Sequence, residues 1–270
     1  MNTSLFSKQS PISAPVLGAF YMVLSAFCFA ITAGLLRYAT REVHPFEAAF
    51  LRSFSGLIFM WPLVMRGGLA SISIKRPRLH ILRGIISGIG TLMWSSALAV
   101  LPVGEAVALN FTAPLFATML APFVLHEVVR ARRWFACVLG FAGVLIMLRP
   151  GLEVISVGAL LSIGSAATIA CNMLIIRIIS QEDNARTVVF TFSVFTSVVT
   201  LLPALFVWET PSWEMLIALV LCGFLATLAH LLLTRAMSIA EMSAIAPLDF
   251  VRLLFAAGIG FISVSYTHLT

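Results

Sequence analysis

Charge is what this chain has least of. Asp, Glu, Lys and Arg together supply 10% of its 270 residues, against 60% hydrophobic residues and a mean hydropathy of +1.05. A water-soluble domain of that size would have too little polar surface to cover itself, so the solvent of this chain is lipid. Cysteine is sparse as well. Cys28, Cys137, Cys171 and Cys222 each fall in a different apolar run, which excludes a disulfide framework and leaves them as small packing residues. There is no low-complexity tract, and no connection is long enough to hold a soluble domain. No Walker-type loop is present to bind ATP, and Gly88-Ile89-Gly90 is no dinucleotide fingerprint because no strand precedes it. His, Asp, Glu, Ser and Cys occur as singletons rather than at catalytic spacing, which ranks an intramembrane enzyme, and a receptor or structural membrane subunit, below a carrier. No cofactor and no metal ion are expected.

What the chain has is a succession of long apolar runs. A helix needs about 20 mainly apolar residues to cross the hydrocarbon layer, and only helices or closed barrels satisfy every backbone group there. Spans are expected at 16–36, 46–65, 83–101, 106–125, 134–148, 155–179, 188–208, 215–234 and 244–264, none with the alternation of a barrel strand. The first run is longer than a signal-peptide h-region and has no small-residue cleavage site, so it reads as a retained helix. The fold class is therefore an all-α polytopic membrane protein.

The second half repeats the first. Shifted by 140, Gly18-Ala19 falls on Gly158-Ala159, Ser25-Ala26 on Ser165-Ala166, Ala30 on Ala170 and Arg37 on Arg177. Shifted by 139, Leu109-Asn110-Phe111 falls on Leu248-Asp249-Phe250 and Leu115-Phe116-Ala117 on Leu254-Phe255-Ala256. A unit of five spans, an odd number, must start on opposite sides of the membrane in its two copies. Inverted repeats of this kind build secondary transporters, with a site near the midplane between them. The expected units are residues 16–148 and 155–264.

The basic residues give an orientation. With the N-terminus inside, twelve of the seventeen Lys and Arg fall on the inner side: Lys8, Arg66, Lys75, Arg76, Arg78, Arg83, Arg130, Arg132, Arg133, Arg177, Arg186 and Arg235. Only Arg37, Arg41 and Arg149 fall outside, while Arg52 and Arg252 lie within spans. Positive residues in short loops mark the cytoplasmic face, so the net charge of +6 needs no nucleic-acid partner. The expected partners are a small-molecule metabolite and the lipid bilayer, with a second copy of the chain left open.

Ala97-Leu98, Pro102, Ala106, Pro114-Leu115-Phe116 and His126-Glu127 together resemble the repeat signature of EamA-type members of the drug/metabolite transporter superfamily. The likeness extends to Arg133-Trp134, Gly140-Phe141-Ala142-Gly143-Val144 and Arg149-Pro150. It implies ten helices in two five-helix repeats, cytoplasmic termini in a bacterial inner membrane, and a cavity lined by the first, third, fourth, sixth, eighth and ninth helices. His80-Ile81-Leu82-Arg83-Gly84, leading into a third span with Trp94, looks most like the S-adenosylmethionine transporter branch; riboflavin, amino-acid and nucleobase carriers share the frame. Against that pattern only nine of the ten helices are present. Residues 265–270 close the chain as a polar tail where a tenth helix would follow, and they read as foreign to the gene.

Six residues are candidates for the substrate site: Trp94, Asn110, Asn172, His230, Asp249 and Arg252. An ionisable group at bilayer depth is costly and has either a task or a partner. Asp249 and Arg252, three apart on one helical face, are either an ion pair that glues helices or a substrate or proton site. Asn110 occupies the position in the first repeat that Asp249 takes in the second. His230 is an interior hydrogen bonder or a proton carrier. Trp94 offers an aromatic platform and Asn172 an amide. Glu47 and Arg52 are expected to anchor a helix end, Gly84 and Gly88 to allow close helix contact, and Pro114 and Pro247 to free backbone carbonyls.

Overall fold

A computed structural model describes residues 14–67, 72–125, 156–239, 248 and 251–267, with isolated helical positions at 135, 139 and 142. The helices among them are α1 (Ala14–Ala39), α2 (Pro45–Gly67), α3 (Pro77–Val100), α4 (Val103–Asn110), α5 (Ala113–Leu125), α6 (Val157–Ile179), α7 (Ala185–Leu205), α8 (Trp213–Ile239) and α9 (Val251–Thr267). No strand occurs among the described residues. Apolar runs take this form because in hydrocarbon each N–H and C=O must be satisfied within its own segment. Among the described residues seven stretches, with Val103–Leu120 counted as one, are long and apolar enough to cross a membrane. Most of the fifth expected span, with Cys137, His126-Glu127 and Arg133-Trp134, lies outside the described residues.

Three boundaries differ from expectation. The third helix begins at Pro77, six residues before the expected start at 83, because His80 and Arg83 are not loop residues: both are buried against α7. Pro77 suits a helix start, where its missing N–H costs nothing. The fourth span is broken. α4 stops at Asn110, Phe111 and Thr112 form a turn, and α5 begins at Ala113. Pro114 explains the break, since its ring would clash with the carbonyl of Asn110 in a continuous helix. Thr112 Oγ1 instead closes α4 by donating to Leu109 O at 2.8 Å. At the far end α9 starts at Val251 and carries Ser265, Tyr266 and Thr267 as helix. Asp249 and Pro247 lie outside the described residues.

The helices pack in matched sets. α1 lies against α8 as α6 lies against α3; α2 lies against α8 as α7 lies against α3; α1 meets α9 as α6 meets α4 and α5. The turns after α1 and after α6 have the same form, and each buries its fourth residue, Val43 in one and Asp183 in the other. Ser25, Ala26 and Ala30 are buried, and so are Ser165, Ala166 and Ala170.

On α3 the two faces separate cleanly. Ile81, Ile85 and Ile89, spaced by one turn, are exposed as an apolar stripe on the outside of the bundle. Gly84 and Gly88 face α7, where a Cβ on the first would collide with Phe195 and on the second with Val199. Close contact at the GxxxG pair is thus as expected, and small residues are what permit it where lipid supplies no hydrophobic drive. Trp94 packs beside the main apolar cluster, which joins Ala30 and Leu36 of α1, Leu98 of α3, Leu109 of α4 and Leu219 of α8.

Candidate functional site

Between α2, α7 and α8 lies a small cavity of about 20 Å³. Its floor forms where α2 and α8 touch: Gly223 rests against the backbone of Arg52 and Gly56, and a Cβ on Gly56 would meet Thr227 Oγ1 at 2.5 Å. Arg52, Phe192, Thr196 and His230 stand around the space above it. Ser193 and Thr227 also line it, but their hydroxyls are turned back onto Val189 O at 3.0 Å and Gly223 O at 2.8 Å. Thr196 Oγ1 and Arg52 Nε are different. Both atoms are buried without a hydrogen-bond partner. Arg52 is expected to anchor a helix end at a membrane interface; in the structure it lines this interior cavity instead, on the stretch of α2 that Gly223 of α8 touches.

A chain of ring contacts runs through the interior with an arginine near each end. Arg83 lies over the Phe192 ring at 4.8 Å; Phe192 meets His230 at 4.5 Å; His230 meets Phe29 edge-on at 5.1 Å. Arg252 then lies over Phe29 at 5.8 Å and over Phe111 at 5.0 Å. Five helices, α3, α7, α8, α1 and α9, and the turn after α4 each give one member of this chain of contacts. A ring face is the negative pole of the aromatic quadrupole, and it attracts a cation more strongly when water is excluded. Arg83, 2% exposed, also donates from Nη1 to Val188 O at 2.7 Å.

Of the expected site residues, His230 lines the cavity, and Arg252 is joined to it through Phe29. Asn110 lies elsewhere: its Nδ2 donates to Ser162 O and Ser165 Oγ, both at 3.4 Å, and so ties α4 to α6. Asn172 Oδ1 accepts from Ser87 Oγ at 3.0 Å and ties α6 to α3. Trp94 is half-buried in the apolar core. The cavity is lined from α2, α7 and α8, whereas the helix set implied by resemblance shares only the eighth span with it.

Two groups of polar residues close the bundle at its ends. His80 Nδ1 lies 2.7 Å from Thr191 Oγ1, and its Nε2 lies 2.9 Å from Asp183 Oδ2. The Lys75 amide donates to Asp183 Oδ1 at 3.3 Å, and Arg76 pairs with Glu182 at 2.6 Å outside it. At the opposite end Glu47 is fully buried, and its Oε2 accepts from the Glu209 amide at 3.3 Å. Arg37 Nη1 there donates to Leu98 O at 2.7 Å and to Ala99 O, capping the last carbonyls of α3.

The model of the EamA-like transporter family matches residues 16–149. An S-adenosylmethionine uptake transporter of Rickettsia prowazekii is 30% identical over 240 residues, which are 89% of this chain and 82% of that protein. The chain belongs to the EamA-like transporter family. A riboflavin transporter of Vibrio cholerae is 29% identical over 247 residues, 88% of this chain and 82% of that one. A solved crystal structure shares the fold, with a TM-score of 0.66 at 17% identity over 97% of this chain and 91% of that chain. This EamA-family chain is thus a multi-pass membrane protein that transports a small molecule, and its relatives are named as transporters rather than enzymes.

Proposed function

We propose that the protein is a secondary carrier that moves a small organic metabolite across the bacterial inner membrane by alternating access, with S-adenosylmethionine first among the candidate cargoes, riboflavin second, and amino acids and nucleobases behind them. The observation that carries this reading is the cavity itself. It places a guanidinium, an imidazole and a free hydroxyl among membrane-spanning helices, where polar groups are expensive and mark a substrate path. The matched helix pairings support two inverted units, 16–148 and 155–264, and units of that kind rock about a site between them. The exposed Ile81, Ile85 and Ile89 stripe supports contact with lipid.

Orientation is supported by charge. Arg66, Lys75, Arg76, Arg78, Arg177 and Arg235 are exposed on the side proposed as cytoplasmic. Arg83 leaves the loop count because it is buried in α3, which lowers the inner-side total from twelve to eleven. The bias survives that correction. The test is uptake of radiolabelled S-adenosylmethionine and riboflavin into proteoliposomes holding the full chain. Saturable uptake of one, competed by its unlabelled form, is expected. Uptake no faster than in empty liposomes for these two and for amino acids and nucleobases tested alongside them would end the reading.

A further inference from the structure

We propose that the cavity between α2, α7 and α8 is a carboxylate subsite, with the Arg52 guanidinium and the Thr196 hydroxyl as its donors, so that the cargo is a metabolite with a free carboxylate. This rests on the reading of the chain as a small-molecule carrier and narrows its substrate class.

The argument starts from unspent donors. A guanidinium carries five N–H groups in a planar fork and accepts nothing. Among the described residues Arg52 has neither a hydrogen bond nor an ion pair, and its Nε is buried. Thr196, 1% exposed, keeps its Oγ1 unpartnered, although Ser193, Ser197 and Thr200 on the same helix all bond to carbonyls of their own turn. Both open donors line one cavity. Buried polar groups in folded proteins find partners, and here the shared space is where a partner must come from.

The sign of the surroundings chooses the ligand. Arg83 stacks on the Phe192 ring that forms one wall. The buried acidic side chains among the described residues, Glu47 and Asp183, are engaged at the two ends of the bundle with the Glu209 amide and with His80. Among the described residues the cavity therefore presents positive charge without a built-in counter-ion, and an anionic group is drawn to it. A carboxylate matches the guanidinium fork with two parallel bonds and leaves a lone pair for the threonine hydroxyl. The Phe192 and His230 rings, in contact with each other, border the same space.

This inference separates the two leading cargoes by chemistry. S-adenosylmethionine has a carboxylate and riboflavin has none. The test compares uptake and binding of S-adenosylmethionine, its decarboxylated form, methionine, adenosine and riboflavin by the full chain. A carboxylate-bearing compound should bind at least tenfold tighter than its counterpart without one. Arg52→Gln should erase that difference, Arg52→Lys should keep part of it, and Thr196→Val should reduce it a few-fold. Arg52→Gln should also melt no lower than the parent protein, because it removes a charge with no protein partner. Preference for riboflavin or adenosine that Arg52→Gln leaves unchanged would overturn the subsite and leave the carrier reading standing. Equal binding of S-adenosylmethionine and its decarboxylated form would do the same. A lowered melting temperature in Arg52→Gln with intact carboxylate preference would show Arg52 to be structural. If the folded protein takes up none of the five, the subsite fails, and the carrier reading then rests on the other amino acids and the nucleobases.

Discussion

His80 and Asp183 are 103 residues apart in the chain and 2.9 Å apart in the fold, each with a side chain 1% exposed. Their contact fastens α3 to the turn between α6 and α7, and Thr191 of α7 holds the other ring nitrogen. A buried pair of this kind costs desolvation to form, so its net worth is modest. Removing one partner is another matter, since the other is stranded in a dry site.

His80→Ala and Asp183→Ala should therefore each destabilise the protein by about 3 kcal/mol, and the double variant by much less than the sum. Thermal unfolding in one detergent checks both. The neighbouring Arg76–Glu182 pair provides the contrast: its side chains are 49% and 35% exposed. Glu182→Gln should cost no more than about 0.5 kcal/mol, in line with exposed pairs.

The glycines on α3 should tolerate no side chain. Gly84→Leu and Gly88→Val would force α7 away at Phe195 and Val199, with a loss of at least about 1–3 kcal/mol as in other overpacked sites. Gly104 in α4 has nothing within 4 Å of a Cβ position. Gly104→Ala should be neutral or stabilising by up to about 1 kcal/mol. Melting temperatures of the three variants, measured together, decide whether the α3–α7 contact is as tight as described.

Phe29 stands between His230 and Arg252 and touches both. Phe29→Leu keeps an apolar filler but removes the ring face, so about 0.5–2 kcal/mol of cation–ring attraction is lost. The expected result is a raised KM for uptake with folded yield near that of the parent. Phe29→Ala should reduce the yield as well, because it empties a core position at a cost of about 3–5 kcal/mol.

Single cysteines introduced at positions 209 and 182, both exposed in turns at opposite ends of the bundle, read out the orientation. With the N-terminus inside, the cysteine at 209 should label from outside intact cells and the one at 182 only after permeabilisation. The reverse pattern would invert the topology.

The sequence made the spans legible because hydropathy acts over a whole window and does not depend on partners. It made Gly84 and Gly88 legible for the same reason, as spacing alone puts them on one face. Arg83 was misplaced because a charge at the edge of an apolar run looks the same whether it faces water or Phe192 and Val188 O. Arg52 differs from expectation for a related reason: its interior setting depends on the contact of its backbone with Gly223, 171 positions away. Asp183 carries no local signal at all, since its partner His80 is on a distant helix. Pro114 did announce irregular backbone, and the break at Phe111–Thr112 is that irregularity. Asn110 matched Asp249 by repeat symmetry, yet Ser162 and Ser165 claim its amide.

The contact at Gly223 has one more effect. There the main chains of α2 and α8 press on each other with only hydrogen atoms between, and one belongs to the front of the sequence and the other to the back. Such a point works as a bearing. Two rods that touch there can twist across one another, but they cannot draw nearer, and a single methyl group would lift them off their seat. The spacing of the α2 and α8 walls, which carry Arg52 and His230, is thus gauged by bare backbone, while the α7 wall meets the chamber through the side chains of Phe192 and Thr196.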